Sequence, residues 1–317
     1  MGEGKVGLAS LKGRHFVDAL DFSPAEYDLL FSLAERIVDS PEEFASCCSG
    51  KLLATLFYEP STRTRLSFEA AMLRLGGKVI TVADASTSSV AKGESLADTI
   101  RTVAGYADLI VLRHPKEGAA KLAALYSSVP LINGGDGARE HPTQTLTDLF
   151  TIKRFKGRLD NLTVAFCGDL RYGRTVHSLI RALALRERIR FILISPVELR
   201  LPEVIKEEIR AANPGIELRE TEDLEAGLAE ADVLYMTRIQ KERFFNEEDY
   251  IRLRDSYILT KSKLEAARKD LLVMHPLPRV TEISHDVDAD PRAIYFQQAR
   301  SGMFVRMALI ATLLGVV

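Results

Sequence analysis

Apolar runs of strand length recur along the chain between stretches of helical periodicity: Leu52 to Tyr58, Val79 to Val82, Leu109 to Leu112 and Leu131 to Ile132 each adjoin an amphipathic segment. The order restarts after Lys156-Gly157-Arg158-Leu159-Asp160-Asn161, with runs at Leu162 to Cys167, Phe191 to Ile194, Val233 to Met236 and Leu271 to Met274. Strands covered on both faces read as continuous Val/Ile/Leu runs, and these have that character. The same pattern predicts helices at Ser23 to Val38, Ser61 to Leu75 and Thr175 to Leu185, and βαβα order predicts two α/β units with parallel sheets. The apolar stretch Met307 to Val317 has eleven residues. That is short of the roughly 20 a membrane span needs, so it reads as a buried terminal helix.

Composition narrows the classes. At 317 residues, with 46% hydrophobic and 27% charged residues, the chain is long enough for two globular cores and too apolar for a disordered one. The 42 Lys and Arg against 44 Asp and Glu give a net charge of −2. No global positive field therefore exists to hold nucleic acid or an anionic membrane, and any anion site must be built locally. Cys47, Cys48 and Cys167 form neither a disulfide framework nor a CxxC metal spacing, and together with the absence of an apolar signal core at the start they fit a reducing cytoplasm.

In parallel sheets, ligands gather beyond the carboxyl ends of strands, where loops meet helix N-termini. The polar clusters fall at such places. Pro60 stops the run that leads into Ser61-Thr62-Arg63-Thr64-Arg65, where Ser61 or Thr62 can cap a helix whose first N–H groups lack internal partners. Hydroxyls, guanidinium groups and a positive dipole end suit a phosphate. Arg63 and Arg65 cannot share one helical face, so one points into the cradle and the other holds structure. The loop Asp84 to Glu94, with Ser88 and Lys92, reads as a closing lid or as an ordinary exposed loop. Arg113 and His114 follow one strand, and His141-Pro142-Thr143-Gln144 follows a turn at Asn133 to Asp136, so that His141 can polarise a carbonyl from beside Pro142.

Gly168-Asp169-Leu170-Arg171-Tyr172-Gly173-Arg174 is not a dinucleotide fingerprint, because Leu170 occupies the place of the second glycine, and it leaves Arg174 for a carboxylate. Arg238 and Gln240 alternate onto one side if their strand continues. His275-Pro276-Leu277-Pro278-Arg279 is a stiff turn, structural or offering backbone carbonyls to an amine or amide.

Together these segments closely resemble the carbamoyltransferases. Ser61 to Arg65 and His141 to Gln144 mark the wider family. Gly173-Arg174-Thr175-Val176-His177-Ser178, Thr237 to Arg243, and Pro276, where ornithine enzymes carry Cys, resemble the aspartate branch. The resemblance implies two doubly wound parallel-sheet domains, a carbamoyl phosphate domain at 1–142 completed by a C-terminal helix at 299–317, and an aspartate domain at 143–298. It implies transfer of the carbamoyl group of carbamoyl phosphate to L-aspartate, without metal or organic cofactor, in a homotrimer with shared sites. Ornithine as acceptor and a catalytically silent scaffold are the alternatives.

By the same resemblance, Ser61, Thr62, Arg63, Thr64 and Arg113 hold the phosphate, and Thr64, Arg113 and His141 meet the carbonyl oxygen. Gln144 and the backbone of Pro276 and Leu277 take the carbamoyl NH₂, while Arg174, Arg238 and Gln240 take the aspartate carboxylates. Ser88 and Lys92 reach a neighbouring chain's site, Lys92 touching both substrates, and Glu59 braces Arg174 and Arg243. Ala91 and Thr281 depart from the family pattern away from this chemistry. A separate regulatory chain is compatible with Glu117, which lies where relatives meet one.

Overall fold

The computed structural model describes residues 7–84, 92–137, 140–239, 247–253 and 255–317. Ser88, Gln240, Arg243 and Ala91 lie outside the described residues. The chain divides into two compact units, Met1–Phe150 with Arg300–Val317, and Thr151–Ala299.

The first unit contains α1 (Pro24–Asp39), β1 (Leu52–Phe57), α2 (Thr62–Arg74), β2 (Lys78–Val82), α3 (Leu96–Ala104), β3 (Leu109–His114), α4 (Ala119–Tyr126), β4 (Leu131–Asp136) and the start of α5 (Pro142–Lys156). The second contains β5 (Thr163–Cys167), α6 (Arg174–Ala184), β6 (Arg190–Ile194), α7 (Glu203–Ala212), β7 (Glu217–Thr221), α8 (Leu224–Leu228), β8 (Val233–Met236), α9 (Glu247–Leu253) and β9 (Leu272–Met274). The last helix, α10 (Tyr295–Leu314), returns to the first unit, where the Gly13 N–H donates to the Leu313 carbonyl at 2.9 Å.

Both sheets are parallel, in the orders β2-β1-β3-β4 and β7-β6-β5-β8-β9. Ala54, Leu56, Ile100, Ile110, Leu112 and Leu131 build one core. Ala165, Ile192, Ile194, Leu234, Met236 and Val273 build another. In the first sheet the chain winds from β1 to β2 and then returns to the other side as β3, so the crevice opens at the carboxyl ends of β1 and β3. The equivalent place in the second sheet lies between β5 and β8.

Three elements differ from the sequence reading. Asn133 to Asp136 is not a turn but the end of β4. The side chain of Asn133 makes this possible, accepting from the Gly135 N–H at 2.8 Å and donating to the Val17 carbonyl at 3.0 Å and to Asp136 at 3.1 Å. Arg113 and His114 do not follow β3 but complete it. The edge strand β7, Glu-Leu-Arg-Glu-Thr, lacks an apolar run because an edge needs charge more than burial. Among the described residues no helix is long and apolar enough to cross a membrane.

Candidate active site

In the first unit, β1 delivers the chain to Ser61, the N-cap of α2, whose hydroxyl makes no capping bond. The helix therefore presents its first N–H groups beside Ser61, Thr62 and Arg63, with Arg63 exposed and Thr64 buried. Of the two arginines it is Arg65 that holds structure: its Nε lies 3.7 Å from Glu69, which in turn accepts from Thr81 at 2.9 Å and Thr55 at 3.2 Å.

Arg113, the residue before the last of β3, is in register with Phe57 of β1, and its carbonyl accepts from the Tyr58 N–H at 2.9 Å. Arg113 is buried, with 7% of the residue exposed. Nη1 donates to the Gly134 carbonyl at 3.1 Å and lies 3.5 Å from His141 Nε2, while Nη2 meets Glu59 at 3.1 Å. Within its own unit Glu59 braces Arg113; of the arginines that the resemblance gives it, Arg243 lies outside the described residues. His141 sits immediately before α5, and its carbonyl accepts from the N–H groups of Gln144 at 2.9 Å and Thr145 at 3.2 Å. Proline at position 142 suits a first helical residue, which needs no N–H partner. Gly135, with φ of +119°, is what leaves space for this corner: a Cβ there would lie 2.8 Å from Arg113 Nη1 and 3.5 Å from His141 Cδ2.

In the second unit, Arg174 opens α6 after the loop from β5, and Arg238 lies two residues beyond β8. These are the two strands that flank the reversal point. The loop is tied to β8: a Cβ on Gly168 would lie 2.2 Å from the Thr237 carbonyl, and the Asp169 N–H donates to Thr237 Oγ1 at 3.1 Å. His177, one turn into α6, donates from Nε2 to the Leu170 carbonyl at 2.8 Å. Burial pushes its pKa down to about 4. β8 ends at Met236, before Arg238, and Gln240 lies outside the described residues.

The 275–279 turn has its own frame. The Leu277 N–H donates to His275 Nδ1 at 2.8 Å, which leaves the ring proton on Nε2, 2.7 Å from Glu282. The His275 N–H donates to Gln298 at 2.9 Å. Burial holds His275 below the ordinary imidazole value against the opposing pull of Glu282. Burial also pushes Glu282 up, but hydrogen bonds led by that from His275 outweigh it and leave the carboxyl below its usual range. Leu277 takes φ of +57°, and among the described residues no group donates to the Pro276 or Leu277 carbonyl. Arg279 is occupied elsewhere, paired with Asp288 and stacked 5.4 Å from the Tyr295 ring centroid. Lys92 is exposed.

Thus β1, β3 and α5 bring together Ser61 to Thr64, Arg113, His141 and Gln144 in the first unit, and β5, β8 and β9 carry Arg174, Arg238 and Pro276-Leu277 in the second. The sequence names His275 within its proline-rich turn but gives no role to its side chain, nor to Gly135 or Glu282. The Gly-Gly pair that follows the apolar Leu131-Ile132 run was the available signal for Gly135.

The family model described as aspartate/ornithine carbamoyltransferase, carbamoyl-P binding domain, matches residues 14–154. Its counterpart, the Asp/Orn binding domain, matches residues 160–313. The aspartate carbamoyltransferase catalytic subunit of Clostridium kluyveri is 60% identical over 306 residues, covering 96% of this chain and 99% of that relative. Among solved structures, aspartate transcarbamoylase from Trypanosoma cruzi in complex with N-(phosphonacetyl)-L-aspartic acid superposes with a TM-score of 0.92 at 40% identity, covering 97% of this chain and 98% of that one. The M. jannaschii catalytic subunit of aspartate transcarbamoylase gives 0.89 at 51% identity, covering 95% and 98%. The chain belongs to the aspartate/ornithine carbamoyltransferase family.

Proposed function

We propose that the chain transfers the carbamoyl group of carbamoyl phosphate to the α-amine of L-aspartate, giving N-carbamoyl-L-aspartate and phosphate, an early committed step of de novo pyrimidine biosynthesis. The observation that carries this reading is the Arg113 guanidinium, buried, braced by Glu59 and 3.5 Å from His141 at the reversal point of the first sheet. A buried cation with fixed neighbours is a preorganised partner for charge that develops on a carbonyl oxygen.

In this mechanism the phosphate rests on the α2 N-terminus with Ser61, Thr62, Arg63 and Thr64. The deprotonated amine attacks the carbonyl carbon, the oxyanion is met by Thr64, Arg113 and His141, the bond from carbon to the bridging phosphate oxygen breaks, and the phosphate leaves toward positive charge carrying the amine proton. Gln144 and the carbonyls of Pro276 and Leu277 accept from the carbamoyl NH₂. Arg174 and Arg238, with Gln240, bind the aspartate carboxylates. Holding two reactants in place supplies about 7–11 kcal/mol of the barrier reduction, and each well-aimed oxyanion donor about 2.7–4 kcal/mol.

The working unit is a homotrimer in which Lys92 and Ser88 enter a neighbour's site. Support comes from the first unit's apolar exposure: Leu66 and Leu73, two turns apart on α2, and Ile80 on the edge strand β2 are open to solvent. The compartment is the cytoplasm, in keeping with three free thiols.

The deciding experiment offers L-aspartate and L-ornithine as acceptors with carbamoyl phosphate. N-carbamoyl-L-aspartate should form and citrulline should not. Citrulline as the main product would reassign the acceptor, and no product from either would leave a silent scaffold.

A further inference from the structure

Gln144 stands on the first turn of α5, and its Nε2 donates to Asp148 Oδ1, one turn on, at 2.8 Å. Asp148 is fully buried. A glutamine amide is nearly symmetric in shape, and only its partners decide which end is oxygen. An ionised carboxylate accepts and never donates, so it draws the NH₂ end toward itself and turns Oε1 to the opposite side.

A buried carboxylate is costly without compensating charge. Arg306, on α10, supplies it. Its side chain is buried, lies 5.1 Å over the Phe68 ring centroid, and donates from Nη2 to the Thr143 carbonyl at 3.4 Å. Burial lowers its pKa to about 10, with the attraction of Asp148 opposing that fall, so the guanidinium stays charged at neutral pH. The neighbouring glycine is shaped for it: a Cβ at Gly302 would lie 2.7 Å from Arg306 Nη1. Phe68 belongs to α2 and Thr143 to α5, so this cation bridges the helix below the phosphate cradle and the helix that begins beside His141. An apolar side chain would fill the same space without the cost of desolvating a charge.

We infer that Asp148, balanced by Arg306, is a positioning residue that fixes Gln144 with its amide oxygen toward the acyl donor and thereby selects an NH₂-bearing acyl phosphate over a methyl-bearing one. The inference rests on the role given to Gln144 above. Acetyl phosphate has nearly the shape of carbamoyl phosphate but sets a methyl group against Oε1, leaving an acceptor unsatisfied; a site built around a substrate N–H rejects the analogue that lacks it.

The test measures dissociation constants of carbamoyl phosphate and acetyl phosphate by calorimetry on the intact oligomer, for the parent and for Asp148→Asn, Gln144→Ala and the charge-balanced pair Asp148→Asn/Arg306→Met. Asparagine can present either end to Gln144, so the carbamoyl preference should fall about tenfold in Asp148→Asn, the worth of one hydrogen bond. The paired variant should recover melting temperature but not the preference, which separates orientation from stability and carries the test if the single variant does not fold. Added to Gln144→Ala, Asp148→Asn should change the preference no further. A preference kept in folded Asp148→Asn but lost in Gln144→Ala overturns this inference alone. A preference kept in Gln144→Ala overturns the role of Gln144 itself.

Discussion

Gly135→Ala is the substitution by which the geometry around Arg113 can be examined without deleting any reacting group. The added methyl would lie 2.8 Å from Arg113 Nη1, closer than real Cβ atoms come, on a residue whose φ is +119°. The guanidinium tip is the part that can yield. Arg113 is 7% exposed and its guanidinium is bonded to Gly134 and Glu59, so movement away from the methyl lengthens contacts with the Gly134 carbonyl at 3.1 Å and His141 at 3.5 Å. Loss of one charge-assisted hydrogen bond in the complex costs about 1.5–3 kcal/mol, which corresponds to about 10- to 160-fold in kcat/KM for carbamoyl phosphate. The unfavourable φ adds about 1–3 kcal/mol to the loss of stability. Initial rates at saturating aspartate, with melting curves alongside, separate the two effects. A folded variant whose kcat/KM for carbamoyl phosphate stays within about twofold of the parent would refute the reasoning.

His141→Ala should lower kcat by about 10²–10³ while changing carbamoyl phosphate affinity much less, read from steady-state kinetics and binding; an unchanged kcat removes His141 from the oxyanion role. Arg63→Ala and Lys92→Ala chains, each nearly inactive alone, should regain activity when dissociated, mixed and reassembled, and no recovery contradicts sites shared between chains. Stability should also fall on acidification through His177, whose pKa is lowered from 6.5 to about 4 in the folded protein. The unfolded chain takes up the proton first, so this contribution is complete above about pH 6.5 and is lost as the pH falls toward 4, with about 1 kcal/mol gone between about pH 7.5 and 5.5. Urea titrations at those two values should show His177→Gln losing less than the parent by that amount; equal losses would place the titrating group elsewhere.

The sequence disclosed what repeats and what clusters. Among the described residues, strands buried on both faces, such as β3 and β5, announce themselves as apolar runs, while the charged edge strand β7 has no such run. Helix periodicity separates Arg63 from Arg65, and the Arg65 to Glu69 contact gives Arg65 the structural part. What sequence could not supply was pairing between distant segments. Glu59 reads equally well as a partner for several arginines, and only the register of β1 on β3 sets it against Arg113. The Asn133 side chain, by bonding its own backbone, turns a segment with turn composition into strand. Likewise His275 and Glu282, seven residues apart across a proline-rich turn, show no periodic link that would mark them as neighbours 2.7 Å apart.

Two separate sets of cations are proposed to seat an acyl phosphate and a dicarboxylic amino acid for reaction with each other. Calorimetric titration of the intact protein with N-(phosphonacetyl)-L-aspartic acid, which joins a phosphonate to an aspartate, tests this most directly. The account predicts saturable binding in the parent that is strongly weakened both in Arg113→Ala, from the first unit, and in Arg238→Ala, from the second. Absence of binding to the folded parent, or binding indifferent to either substitution, would contradict it.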